Sequence, residues 1–324
     1  MNSSRKRGCH VAICRYHPDD APAWDRFIGA SINGTFLHTR KFLSYHGNRF
    51  DDQSLIIRDE HGAMVGVLPA AVDPDDPRCV TSHPGITYGG VVHGGELYGT
   101  TMVNVLEQCV NYYRTRGFQR FRYKTIPTIY HEFPAEDDTY ALFRLGAALW
   151  RTDLYAVIDH RARRPLSRNR KTGLKRSMGI EVSAAPRFLS DFWMILEDQL
   201  EQRHNVSPVH TIAEIQDLMS RFPADIACVT GHFNGQVIAG LLLFLTPLVT
   251  RAQYSGATDA AREISALDRV FDWCITASAQ RQDRYFDFGN SNEADGQVLN
   301  MGLHRYKVGL GAGSMTQRFF ELTT

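Results

Sequence analysis

The two halves of this chain spell the same order of elements, and that repeat limits the fold more than any other feature. In the first half, Ser54-Leu55-Ile56-Ile57-Arg58 reads as a strand, His61-Gly62 as a turn, and Ala63 to Val72 as a second strand. In the second, Ile226-Ala227-Cys228-Val229-Thr230 leads to Asn234-Gly235, a two-residue hairpin signal, and then Gln236 to Phe244. A short aromatic and glycine strand follows each hairpin, Ile86-Thr87-Tyr88-Gly89 and Ala252-Gln253-Tyr254-Ser255-Gly256. Then comes an amphipathic helix. Met102, Val103, Leu106, Val110 and Tyr113 share one helical face, and Leu267, Val270, Phe271, Cys274 and Ile275 share another. Each helix runs into a further strand, Phe118 to Tyr123 and Tyr285 to Gly289. Helical segments precede each hairpin, Ala21 to Ala30 and His38 to His46 in one half, Phe188 to Arg203 and Ile212 to Phe222 in the other. The expectation is a duplicated α/β (α+β) unit, with domains at 1–158 and 159–324.

Charge narrows the partners. Lys and Arg number 36 against 35 Asp and Glu, a net +1, so a surface that coats DNA or an acidic membrane is excluded. The longest apolar run, Val237 to Val249, is interrupted by Gly240 and Pro247 and is short of the ~20 residues a membrane span needs. Met1 to Arg7 lacks an apolar stretch behind it and does not read as an export signal. The six cysteines form no CxxC pair, which suits reduced, buried thiols and a cytoplasmic setting. Cys9, His10, Cys14 and His17 crowd together, but a half-buried first strand explains them better than zinc, and no metal is expected. Neither a GxSxG elbow, a Walker A loop nor HExxH is present.

Three stretches can carry chemistry. Arg161 to Ile180 holds eight cations, among them Arg168, Arg170 and Lys171, and not one Asp or Glu. Cations in the first turn of a helix starting near Ser167 oppose its dipole, which a bound phosphate would offset. The bland alternative is a solvated helix face. Asp287-Phe288-Gly289-Asn290-Ser291-Asn292-Glu293 closes a strand with polar groups, where α/β sheets bind ligands; a locally bonded turn is the competing reading. Lys307, in Arg305-Tyr306-Lys307-Val308-Gly309, is suited to neutralising an oxyanion or holding a phosphate. In the first half, His83 and Tyr88 lie on one polar strand end and Lys124, Tyr130 and His131 on the other. As a group they could bind a sugar.

A meander followed by a helix and a further strand resembles the GNAT acyltransferase fold, and a tandem pair resembles the Fem-type aminoacyltransferases and the BioF2-like acetyltransferase domain. Arg168-Asn169-Arg170-Lys171 through Gly179-Ile180-Glu181-Val182 looks like the opening of that family's second domain. Asp287-Phe288-Gly289 and Gly302 to Gly311 are similar to its closing signature. The resemblance implies two tandem GNAT-like domains with mixed, mostly antiparallel sheets flanked by helices. It implies an acyl group passing from an activated donor to an amine, with an amino sugar of a cell-envelope or polysaccharide precursor as one acceptor. Asp287 and Lys307 would be catalytic. Tyr254, Asn290, Asn292, Arg168, Arg170 and Lys171 would bind substrate, with Tyr88, His83, Lys124 and His131 walling an acceptor cleft for a small molecule or nucleotide sugar. Gln253-Tyr254-Ser255-Gly256-Ala257-Thr258 approaches the pyrophosphate loop of acetyl-CoA enzymes but departs from it at Thr258. The donor therefore stays open between acyl-CoA and aminoacyl-tRNA, with tRNA a candidate partner and no tightly bound cofactor. A non-catalytic binding module on the same fold is the alternative from another class.

Overall fold

A computed structural model describes residues 11–324. The described residues form two compact units, one of residues 11–152 and 317–324, the other of residues 153–316. Cys9 and His10 lie outside the described residues. Cys14 sits on the first strand, and Cys79, Cys109, Cys228 and Cys274 are buried thiols.

In the first unit, β1 (Ala12–Arg15) is followed by α1 (Ala21–Ala30) and α2 (Arg40–Leu43). The expected helix over His38 to His46 is broken: Thr39 caps α2 by accepting from Phe42 N, and short 3-10 turns flank it. The hairpin forms as β2 (Leu55–Arg58) and β3 (Met64–Leu68), and the segment read as one strand bends and continues as β4 (Ala71–Asp73). Then come β5 (Asp76–Thr81), β6 (Val92–His93), α3 (Thr100–Arg114), β7 (Arg120–Lys124) and α4 (Asp137–Arg144). Strands β1-β2-β3-β6 make one sheet, and β4, β5 and β7 pair in another. Ile86-Thr87-Tyr88-Gly89 is not a strand. His83 at φ 55 and Gly90 at φ 96 turn the chain sharply at either side of it, and a Cβ on Gly89 would run into the Ser82 carbonyl. The core gathers Met102, Leu106 and Tyr113 of α3 with Leu55, Ile57, Phe121 and Tyr123.

The second unit opens within β8 (Ala148–Asp159). It continues through α5 (Arg168–Arg176), β9 (Glu181–Ser183), α6 (Leu189–His204), α7 (Ile212–Arg221), β10 (Ile226–Phe233), β11 (Gln236–Leu245) and β12 (Val249–Ala257). It closes with α8 (Asp259–Glu263), α9 (Ala266–Gln280), β13 (Tyr285–Asn290), the short pair β14 (Asn292–Glu293) and β15 (Val298–Leu299), α10 (Met301–Gly309) and β16 (Gly313–Thr323). Here the strand order is β8-β13-β12-β11-β10-β9, antiparallel except for β12 with β13. Val270, Phe271, Cys274 and Ile275 of α9 pack on that sheet as their spacing requires. The chain end returns to the first unit, where β16 runs antiparallel to β7 with Phe319 opposite Lys124.

Both hairpin turns rest on a glycine in left-handed backbone, Gly62 at φ 82 and Gly235 at φ 77, with open space where a Cβ would go. The cost of Gly→Ala at either is therefore one of backbone conformation alone. We expect Gly62→Ala and Gly235→Ala each to lower stability by about 1–2 kcal/mol, equal in sign and similar in size, by urea unfolding.

Candidate active site

In the second unit β12 and β13 run parallel and paired from Val249↔Tyr285 to Arg251↔Asp287, where their ladder ends. Beyond that point the strands part, and a cavity of about 530 Å³ lies between and beside them. Ala252, Gln253 and Ser255 of β12 wall one side and Phe288, Gly289 and Asn290 of β13 another; Asp268 of α9 and Tyr306 and Lys307 of α10 complete it.

The ion pair at the fork fixes this geometry. Arg251 Nη1 lies 2.5 Å from Asp287 Oδ2, and Asp287 Oδ1 accepts from Gly289 N at 2.7 Å. Asp287 has no accessible surface, whereas Arg251 lines the cavity. The expectation that Asp287 meets the amine directly is thus not met by this geometry: its carboxylate acts on the cavity through Arg251 and the Gly289 turn. Gly289, at φ 73, lets β13 kink where the strands separate.

Lys307 stands on α10. Asn300 caps that helix by accepting from Leu303 N at 3.0 Å. The ammonium donates to Gly289 O at 3.3 Å and to Asn290 O, which leaves one N–H for the cavity. Burial lowers its pKa to about 8, against the opposing pull of Asp287. Asn290 lines the cavity and donates from Nδ2 to Asp153 Oδ2 at 2.9 Å.

Other expected residues fall elsewhere. Tyr254 points to the opposite face of β12 from Arg251 and Gln253: its ring meets Trp193 at 5.4 Å and its hydroxyl bonds His210 Nδ1 at 2.6 Å. Strand alternation is the reason. Asn292 is spent on structure, accepting from Leu154 N at 2.6 Å and donating to Gly296 O at 3.1 Å. Arg168 and Lys171 are exposed on α5. Arg170, on the same helix, is half-buried: its guanidinium pairs with Asp268 at 2.5 Å and lies 4.6 Å from the Tyr306 ring. Tyr306 also donates its hydroxyl to Asp268 Oδ1 at 2.9 Å. Arg164, Arg170 and Arg305 line a recess that meets the cavity at Arg170 and Tyr306.

The first unit brings its own candidates together by burial. The Tyr88 ring lies 4.4 Å from Tyr130, and its hydroxyl donates to Thr35 Oγ1 at 3.2 Å. His83 packs 5.1 Å from His46 and is held neutral by burial, and burial lowers His131 to about 4. Lys124 donates to Ile86 O at 2.6 Å.

Sequence reasoning missed Arg251, Asp268 and Tyr306. The signal for Arg251 was present: a charge within Val249-Thr250-Arg251-Ala252 needs a buried partner once that segment is a central strand.

Residues 160–308 match the family model described as an acetyltransferase (GNAT) domain. Among solved structures, FemX superposes with a TM-score of 0.67 at 10% identity over 97% of each chain. L-PGS from Bacillus licheniformis gives 0.61 at 10%, over 95% of this chain and 92% of that one. A tandem GNAT protein from the clavulanic acid biosynthesis pathway gives 0.55 at 9%, over 97% and 98%. No curated protein matches the chain by sequence. The fold is mixed α/β with two GNAT-like lobes, as in those tandem structures. Among the described residues, no helix is long and apolar enough to cross a membrane.

Two measurements separate structural from surface roles here. Asp287→Asn should cost about 3 kcal/mol or more, because it leaves Arg251 buried without its counter-charge, and the double change Asp287→Leu with Arg251→Met should recover much of that loss in urea unfolding. Arg168→Gln with Lys171→Gln should stay within about 0.5 kcal/mol of the parent, while Arg170→Gln should cost about 1–3 kcal/mol by stripping Asp268 of a charged partner.

Proposed function

We propose that the second unit transfers an acyl group from an activated donor to an amine, in the cavity where β12 and β13 part. The observation that carries this reading is the end of the parallel ladder at Arg251↔Asp287 beside a buried lysine. Strands that separate within a sheet turn backbone N–H and C=O groups toward a ligand rather than a neighbouring strand. The donor's acyl carbonyl lies in the fork. The amine nitrogen attacks it directly, the C–N bond forms, and the thiol or hydroxyl leaving group departs with the proton the amine gives up. Lys307 stabilises the oxyanion through its remaining N–H, and Arg251 adds positive potential fixed in place by Asp287. Asp287 is therefore a positioning residue.

The anionic remainder of the donor follows the recess lined by Arg164, Arg170 and Arg305. Acyl-CoA and aminoacyl-tRNA both carry such an anion. One observation favours the second. The first turn of α9, which follows the splayed strand after the short α8, already holds Asp268 as its anion, bound by Arg170 and Tyr306. A diphosphate placed there would face that carboxylate. The acceptor is an amine on a small molecule, with an amino sugar of an envelope precursor as the class the resemblance implies.

Thermal-shift titration with acetyl-CoA and with a mixture of charged tRNAs identifies the donor, and transfer assays with the donor that binds then test the site. Lys307→Met should lower kcat by about 10²-fold with little change in unfolding midpoint. Because the ammonium is the active form and its pKa is lowered to about 8, wild-type kcat should fall as pH rises through about 8. That decline should be missing in Lys307→Met. A variant with full kcat would overturn the assignment.

A further inference from the structure

We propose that Gln253 and Asn290 form a matched pair that holds a secondary amide in the cavity of the second unit, Gln253 donating to its carbonyl oxygen and Asn290 accepting from its N–H. As a statement about catalysis this rests on the acyl-transfer reading, since the amide is the one that transfer makes. Both residues line the cavity, one on each of the parting strands, and both are half-buried. Gln253 is also the residue of β12 that the sheet leaves over. The ladder to β13 has ended at Arg251, and β11 pairs Leu243 with Ala252 and Leu242 with Tyr254, so Gln253 is the extra residue of a bulge.

Charged partners settle which way each amide is turned. An amide side chain presents an oxygen that accepts and an NH2 that donates, whereas an arginine can only donate. Arg251 Nε lies 3.2 Å from Gln253 Oε1, and Nη1 of the same guanidinium is fixed on Asp287. The oxygen of Gln253 is therefore spent on Arg251. Its NH2 has no hydrogen-bond partner among the described residues and is left for the cavity. Asn290 is turned the other way. Its Nδ2 donates to the Asp153 carboxylate at 2.9 Å, which leaves Oδ1 to accept from a ligand. One wall thus offers a donor and the other an acceptor.

That polarity is complementary to a secondary amide. In its trans form the C=O and N–H point in opposite directions, so their partners must stand on opposite sides. An ester or thioester donor brings only the oxygen, and the attacking amine brings the N–H. The two become one group as the C–N bond forms. A pair that meets both is fully engaged only when that bond is forming, which is the condition for lowering the barrier rather than merely binding substrate. Gln253 joins Lys307 at the acyl oxygen, and Asn290, by holding an N–H, turns the lone pair of the amine toward the carbonyl.

Titration of the full chain with N-methylacetamide, followed by NMR of isotope-labelled Gln and Asn side-chain amides, tests the pair without any donor. Loss of a signal in Gln253→Met and in Asn290→Leu assigns the two; should Gln253→Met fail to fold, Gln253→Glu, which still accepts from Arg251, replaces it. The expected result is saturable shifts of both signals. Methyl acetate, which keeps the carbonyl but lacks the N–H, should bind at least fivefold more weakly and leave Asn290 unmoved. In transfer assays with the donor that binds, Gln253→Glu is the deciding variant, because it keeps an oxygen for Arg251 and has no N–H to give. Its kcat should fall at least tenfold with the unfolding midpoint held, and Asn290→Leu should raise KM for the amine at least fivefold with KM for the donor unchanged. The pair is refuted if N-methylacetamide moves neither signal, if methyl acetate binds as tightly, or if Gln253→Glu keeps the parent kcat. Amide binding by a chain that transfers no acyl group would support the pair and overturn the acyl-transfer reading alone.

Discussion

A parallel pair of strands that diverges must give up ladder bonds, and the sheet tolerates this only where something else holds the fork open. In the second unit that role falls to the buried pair of Arg251 and Asp287. One residue stands on each strand at the last ladder position, and neither can leave without stranding the other's charge. Asp287 also accepts from Gly289 N, so the same carboxylate sets the kink that carries Asn290 and the Gly289 carbonyl toward Lys307. Cavity, lysine and guanidinium thus share one origin. A buried pair of this kind is a poor source of net stability, and its use here is geometric.

The basic stretch shows how charge in a sequence divides once it is folded. Arg168 and Lys171 remain on the solvated face that a run of cations ordinarily makes. Arg170, two and one positions from them on the helix, turns inward to a carboxylate and an aromatic ring. Its charge is used inside the molecule, where it holds Asp268 at the head of α9. Burial raises the pKa of Asp268, and the charge of Arg170 works against that rise.

Much of this fold was legible because periodicity and turn chemistry agreed. The hairpins at Gly62 and Gly235, and the helices over Thr100–Arg114 and Ala266–Gln280, combine apolar spacing with glycine or Asn-Gly signals that few other structures satisfy. Ile86 to Gly89 misled because its strand-like residues are overruled by His83, Pro84, Gly85 and Gly90, which force a folded-back segment. The site was legible in part. Lys307 and Asn290 do line the cavity, but the side of β12 that faces it follows strand alternation, which puts Arg251 and Gln253 there and Tyr254 on the other face. On that strand the aromatic Tyr254 was singled out and Arg251, three residues before it, was overlooked.

The return of β16 to the first unit has a consequence for the order in which the chain can fold. Arg122 and Glu321 form an ion pair from strands separated by the whole of the second unit in sequence. During synthesis, β7 therefore waits for its neighbour until residues 153–316 have been made. Until then its edge is open to pairing with other strands, the exposure from which aggregation and strand exchange begin. Closing that edge brings together residues that lie far apart along the chain, a slow kind of event, so completion of the first unit should be the late step of folding even though its residues are made first.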